Sequence, residues 1–108
     1  MDVQVKYHSV KSREDLSEHI QHRISLALDR FERSIRNVVM HVYDMNGPRG
    51  GVDKRCLALV QLKQGSSVAY DLRDTDLFSA VDRIADRLKE RLRRRLGRRR
   101  WKRVGKED

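Results

Sequence analysis

The stretch CLALVQLKQGSSVAYDL, from Cys56 to Leu72, decides the fold of this chain. On both sides of a Gly-Ser-Ser sequence, apolar side chains recur at every second position, which is the period of a strand with one buried face. The Gly-Ser-Ser sequence at residues 65–67 is typical of a short hairpin turn. The stretch therefore predicts two antiparallel strands joined by a tight turn.

Two further strands are predicted upstream of this hairpin. Residues 2–8 alternate in the same way, and Val38 to Tyr43 is rich in β-branched and aromatic residues. The strongest turn signal in the chain, from Asn46 to Gly51, separates the second strand from the hairpin.

Two amphipathic helices are predicted around these strands. Ser12, with Asp15 three residues later, is the predicted N-cap of the first helix, which runs for about 20 residues. Its apolar positions are Leu16, Ile20, Ile24, Ala27, Leu28 and Phe31. The second helix follows the capping residues Asp74 and Asp76. Its apolar positions are Leu77, Ala80, Val81, Ile84, Ala85, Leu88, Leu92 and Leu96.

The predicted fold class is α+β, with the order β-α-β-β-β-α and both helices packed on one face of a four-stranded sheet. The crossover helix allows the first two strands to run parallel, and the short turns imply antiparallel pairs elsewhere. We predict one domain at residues 1–96, followed at residues 97–108 by a basic, flexible tail. Gly97 permits the second helix to end there.

Charge is distributed unevenly along the chain. The net charge is +9, yet the first 86 residues contain 13 basic and 13 acidic side chains. The last 22 residues contain 12 basic and 3 acidic side chains and therefore carry the whole excess. Such a field indicates a polyanionic partner, which is nucleic acid, an anionic membrane surface or an acidic protein.

Helical periodicity sorts these charges into separate rows on the second helix. The row of Asp82, Asp86 and Glu90 is predicted to lie away from the sheet, apart from a stripe of arginines. Like charges at i, i+4 repel one another unless an external anion relieves them, so the stripe indicates phosphate binding. The stripe consists of Arg83, Arg87, Arg91, Arg94 and Arg98.

Two further groups of residues extend the predicted RNA-binding surface. His19, Arg23 and Arg30 are expected on one flank of the first helix, with the exposed Leu26 beside them. Arg99 and Arg100 precede Trp101, whose indole either stacks on an exposed base or packs against the helix end.

Catalysis and metal binding are not expected. His19 and His22 have the i, i+3 spacing of a metal pair, but no further ligand completes a site. Helix capping explains the carboxylates between Asp71 and Asp76 better than acid/base chemistry does. Cys56, the only cysteine, is expected in the core and leaves no internal disulfide. The glycine-rich turn at residues 46–51 lacks the Gly-Lys-Ser/Thr residues with which a P-loop motif ends. We predict no enzyme activity, no cofactor and no small-molecule substrate.

The protein is also expected to be cytoplasmic. Its first ten residues do not form the apolar region of a signal peptide, and no apolar run is long enough to span a bilayer. We therefore predict no membrane association.

The sequence resembles the bacterial ribosome hibernation-promoting factors, which include the ribosome-associated inhibitor and were once labelled sigma-54 modulation proteins. The most specific piece is DTDLFSAVDRIADRLKERLRR, Asp74 to Arg94, with Ala-Val-Asp followed by a basic residue. A second piece is VKSREDLSEHIQHRI, Val10 to Ile24. The resemblance covers roughly residues 1–96 and matches the short form, since long forms continue into a domain that pairs two ribosomes.

The resemblance implies a translation inhibitor that occupies the mRNA and tRNA channel of the small ribosomal subunit and preserves idle ribosomes in stationary phase. The basic flanks of both helices would contact rRNA. Arg23, Arg87 and Arg94 match basic positions of the family pattern, whereas Leu26 stands where the family is often basic.

Two other functions remain open at this point. One is a general structured-RNA binder without preference for ribosomes, and the other is an interaction protein that modulates transcription. The effect on ribosome dimers, the tRNA site occupied and the oligomeric state of the free protein are also open.

Overall fold

Alternation and helical periodicity produce the predicted elements in the predicted order. The computed structural model describes residues 1–8, 10–44 and 54–107, with side chains described as far as residue 96. The strands are β1 (Asp2–His8), β2 (Ile35–Asp44), β3 (Lys54–Leu62) and β4 (Val68–Asp74), and the helices are α1 (Glu14–Leu28) and α2 (Leu77–Glu107). The α+β fold with the order β-α-β-β-β-α is confirmed.

The four strands lie in the sheet in the order β1-β2-β3-β4. The crossover through α1 makes β1 and β2 parallel, with Val5 opposite Met40. The other pairs are antiparallel, with Met40 opposite Ala58 and Ala58 opposite Tyr70. These four residues form one cross-strand row on the face of the sheet that carries the hydrophobic core.

Both helices pack on this apolar face and on each other. A leucine or isoleucine that is fully buried contributes roughly 1.5–3 kcal/mol through removal of its apolar surface from water. The largest fully buried side chains are Leu16, Ile20, Ile24, Leu28, Ile35, Val38, Met40, Val42, Val60, Ile84, Leu88 and Leu92. The hydrophobic core therefore lies between the sheet and the helix layer.

Cys56 lies in this core, as predicted. Burial raises the pKa of its thiol to about 12, and the carboxylates of Asp74 and Asp71 act in the same direction. The side chain therefore remains a neutral thiol at physiological pH and packs as a small apolar residue.

The N-terminus of α1 differs from the prediction. The N-cap is Arg13, which makes no side-chain capping bond, so the prediction of Ser12 was wrong. Asp15 does not form a capping box, because the Arg13 guanidinium donates to its carboxylate over 2.8 and 3.2 Å. A carboxylate that is bound by a neighbouring guanidinium is less available to accept a hydrogen bond from the backbone N–H of the N-cap residue.

α1 also ends earlier in the chain than predicted. The α-helix ends at Leu28 after 15 residues, and a 3-10 helix continues from Asp29 to Ser34. This tighter turn keeps Phe31 buried while it directs the chain into β2.

The predicted signals at the hairpin and at the start of α2 are confirmed. Gly65 has a φ of 93°, a left-handed conformation that glycine adopts without steric cost. At the start of α2 the backbone N–H of Ser79 donates to Asp76 Oδ2 over 2.9 Å, the geometry of an aspartate N-cap.

Three predictions about chain organisation remain to be compared with the structure. The backbone of α2 continues through Gly97 to Glu107, so the helix does not end at the glycine. The turn predicted from Asn46 to Gly51 lies outside the described residues. The division at residues 96 and 97 stays a prediction.

Candidate nucleic-acid interface

Four exposed arginines of α2 lie at spacings of three or four residues and therefore share one side of the helix. We call the described members, Arg83, Arg87, Arg91 and Arg94, the arginine flank. This flank lies on the β4 side of α2, because Arg91 Nη1 donates to the carbonyl oxygen of Ala69 over 2.6 Å. The guanidinium of Arg91 also lies 5.2 Å from the ring centroid of Tyr70.

The members of the flank differ in how firmly they are held. Arg83 Nη1 lies 3.1 Å from Asp74 Oδ2, and Arg94 Nε lies 3.3 Å from Glu90 Oε1. Arg87 makes no ion pair with any side chain that the structure describes, and it is exposed. Exposed pairs of this kind contribute about 0–1 kcal/mol, so a phosphate can displace them at little cost.

Arg95 extends the same cationic surface and was missed by the sequence argument. Its Nη1 donates to Ser66 Oγ over 3.2 Å and to the carbonyl oxygen of Ser66 over 3.3 Å, at the β3–β4 hairpin. Periodicity alone places Arg95 off the stripe, whereas the hairpin draws its long side chain towards the edge of β4.

A partly exposed cluster of charged and polar side chains joins the two helices, on the side of α2 that faces α1. Arg23 Nε donates to Asp82 Oδ1 over 2.9 Å, and Arg23 Nη2 lies 3.3 Å from Asp86 Oδ1. His19 Nε2 lies 2.7 Å from the same Asp82 oxygen. We call Arg23, His19, Asp82 and Asp86 the interhelix clamp.

The clamp identifies what the acidic row of α2 contacts. Asp82 and Asp86 lie on the α1 side of α2 and bind its cations, whereas Glu90 binds Arg93 and Arg94 on α2 itself. Helical periodicity predicts the angle of these residues about the axis of α2. It does not predict that α1 is the element next to them. The two helices are thus joined by charge as well as by apolar contact.

The electrostatics of the clamp favour its charged forms. The hydrogen bond to Asp82 raises the pKa of Arg23, against a smaller opposing effect of burial. Burial by itself would raise the pKa of Asp82, but hydrogen bonds from Arg23 and His19 outweigh it and lower that pKa. Only 23% of the Arg23 side chain is exposed, so it reaches a ligand less freely than the arginine flank does.

The other predicted RNA-binding residues lie elsewhere. Arg30 is exposed in the 3-10 helix with its guanidinium 5.5 Å from the Phe31 centroid, not on α1 beside His19 and Arg23 as expected. α1 ends at Leu28, so Arg30 belongs to a different element from His19 and Arg23. The side chains of Arg98, Arg99, Arg100 and Trp101 lie outside the described part of the structure. Whether these residues bind RNA stays a prediction.

The polar residues considered for other chemistry make structural contacts. Asp71 binds Arg55, and Asp76 caps α2. Among the side chains described through residue 96, no group of three or more His, Cys, Asp or Glu residues is arranged to hold a metal ion. Within the same part of the chain, no helix is long and apolar enough to cross a bilayer.

Taken together, the fold and its surface define a small α+β domain that presents a cationic helix flank beside its sheet. The chain belongs to the family described as Sigma 54 modulation protein / S30EA ribosomal protein, whose profile matches residues 3–100. This is the hibernation-factor family that the sequence resembles, so the predicted family is confirmed. It is a family of ribosome-associated modulation proteins and not a known enzyme family.

Solved structures share the fold. The N-terminal domain of Thermus thermophilus Protein Y is 20% identical in sequence, with 87% of this chain and 98% of that chain covered and a TM-score of 0.71. A ribosomal subunit interface protein from Coxiella burnetii is also 20% identical, with 90% and 99% covered and a TM-score of 0.74. No curated protein sequence matches the chain.

Proposed function

We propose that this protein is a hibernation factor that binds the small ribosomal subunit in the mRNA and tRNA channel and thereby inhibits translation. The proposal combines the family membership with the arginine flank, which is the observation that carries it. Occupancy of the channel is sufficient for inhibition, so the mechanism needs no catalytic residue or cofactor. Its place of action is the cytoplasm, in starved or stationary-phase cells.

The physical basis is a row of cations on a rigid support. Leu88 and Leu92 are fully buried under α2, so the helix is fixed on the sheet. The adjacent Arg87 and Arg91 therefore hold a set spacing along the helix, which favours contact with successive phosphates. Arginine binds phosphate through two parallel N–H donors, which adds geometric selection to charge attraction.

The test is co-sedimentation with purified small and large subunits. Arg87 and Arg94 are the best pair to reverse, because neither is tied to another structural element, whereas Arg91 contacts β4. Arg87→Glu with Arg94→Glu should lower affinity for the small subunit at least about tenfold. A charge-matched control, Lys11→Glu with Arg36→Glu, changes two exposed cations outside the flank and should have a smaller effect.

Two outcomes would contradict the proposal. Equal losses in the two double variants would mean that net charge alone governs binding. Wild-type protein that binds naked duplex RNA as tightly as the small subunit would instead support a general structured-RNA binder.

A further inference from the structure

The face of the sheet that the helices leave uncovered carries a stack of planar side chains. The register places His8 of β1 opposite Tyr43 of β2, and Tyr43 opposite Arg55 of β3. The His8 and Tyr43 rings are 4.6 Å apart between centroids, with 14° between their planes. The Arg55 guanidinium lies 5.0 Å from the Tyr43 centroid on the next strand. We call His8, Tyr43 and Arg55 the open-face stack.

Hydrogen bonds fix both sides of this stack. His8 Nε2 and His41 Nδ1 are 2.8 Å apart, and the two rings also stack with centroids 5.0 Å apart. Arg55 donates to both carboxylate oxygens of Asp71 over 2.8 and 2.7 Å. Side chains held in this way lose little conformational freedom when a ligand binds.

The stack ends at His8, whose described ring neighbours both lie on the β2 side. β1 is the edge strand of the described sheet, so no strand of the described residues lies beyond His8. Among the described side chains, the only rings that contact His8 are His41 and Tyr43, and both belong to β2. Its ring is half-buried, and Lys6 is exposed two residues earlier on the same face of β1. A planar group placed against His8 would continue the stack, with a cation beside it.

We infer that the outer face of His8 binds a single unpaired nucleobase of RNA, with Lys6 near its phosphate. Nucleobases have the planar shape and π-surface that continue such a stack, and aromatic side chains on the open face of a four-stranded sheet bind unstacked bases in this way. Lys6 and Arg73 add positive charge to this face, which complements the RNA backbone. The inference takes its RNA partner from the proposed function but uses the opposite surface of the domain.

The test uses the full chain and a six-nucleotide unstructured RNA that contains 2-aminopurine, whose fluorescence is quenched when it stacks. Wild-type protein should quench the probe, and His8→Ala should weaken binding at least about fivefold. His8→Phe keeps a stacking face but loses the bond to His41, so it should bind within about twofold of wild type. His22→Ala removes an exposed histidine of α1 and is the matched control, with unchanged binding expected.

Three results would overturn the inference. They are an absence of quenching by wild-type protein, binding by folded His8→Ala equal to wild type, and His8→Phe as weak as His8→Ala. An abasic RNA of the same length should bind wild type and His8→Ala equally, and a difference there would also overturn it, since no base is present to stack. Arg87→Glu with Arg94→Glu should retain quenching at saturating RNA, so failure of the arginine flank and failure of the His8 site are distinguishable.

Discussion

Arg23 of α1 donates its Nε–H to Asp82 of α2 over 2.9 Å, although the two residues are 59 positions apart in the chain. His19 shares the same carboxylate oxygen, so one aspartate binds two cationic or polar groups of the neighbouring helix. A residue of the predicted RNA-binding set therefore also holds the two helices together. This relationship separates the contribution of Arg23 to stability from that of the arginine flank to binding.

Asp82→Asn should lower the free energy of unfolding by about 1 kcal/mol at pH 7, because it removes the charge that binds Arg23 and His19. The value is modest since 47% of the Asp82 side chain is exposed. Asp86→Asn is the matched control and should cost less, because 76% of its side chain is exposed and its single contact with Arg23 is 3.3 Å long. Urea denaturation measures both, and equal losses would contradict the central role of Asp82.

The effect of Asp82→Asn on the free energy of unfolding should depend on pH. The pKa of Asp82 is lower in the folded protein than its ordinary value of 3.8, so its stabilisation is complete above that value. The stabilisation is lost as pH falls through the lowered folded pKa. The difference in unfolding free energy between wild type and Asp82→Asn should therefore shrink as the pH falls below about 4. A difference that does not shrink on acidification below about pH 4 would contradict stabilisation by the ionised carboxylate.

Buried and exposed leucines should respond very differently to truncation. Leu88 is fully buried under α2, so Leu88→Ala should cost about 2–5 kcal/mol through lost apolar burial and the cavity that remains. Leu26 is 64% exposed, and Leu26→Ala should change stability by less than about 0.5 kcal/mol. Chemical denaturation compares the same substitution at both sites. A large cost at Leu26 would mean that its surface is covered in solution.

Binding to the small ribosomal subunit should weaken steeply with salt. If about six phosphates are neutralised, the logarithm of affinity should fall with the logarithm of salt concentration at a slope of roughly −4 to −5. Reversal of Arg87 and Arg94 should make this slope shallower. Equilibrium binding from low to physiological salt measures the slope, and a flat dependence would remove the electrostatic basis of the proposed function.

Truncation after Leu96 should weaken inhibition without abolishing it. The arginine flank ends at Arg94 and remains on the part of α2 that packs on the sheet, whereas the residues beyond contribute further cations and a faster encounter with RNA. The truncated protein should inhibit cell-free translation at higher concentration and with a shallower salt slope. If it remains folded but is inert at every concentration, the segment at residues 97–108 is itself the functional element.

The amino-acid sequence by itself determined the elements, their order and the face that each buries. The periods of two in β3 and 3.6 in α2 are local properties of the chain, and they correctly place Cys56 and Leu88 in the core. The cap at Asp76 and the turn at Gly65 are also local, because they depend on bonds and dihedral angles within a few residues. The arginine flank follows from the same helical period.

Which charged side chains form pairs, and where the aromatic side chains stack, follows from how the elements pack together. In the sequence, Arg23 has the same features as the arginines of the flank. The structure distinguishes it, because the packing of α1 against α2 places Asp82 within hydrogen-bond distance of Arg23. Likewise, His8, Tyr43 and Arg55 belong to three strands, and only the register of the sheet aligns them. Such contacts depend on the relative position of elements that are distant in sequence, and a periodic pattern carries no information about that position.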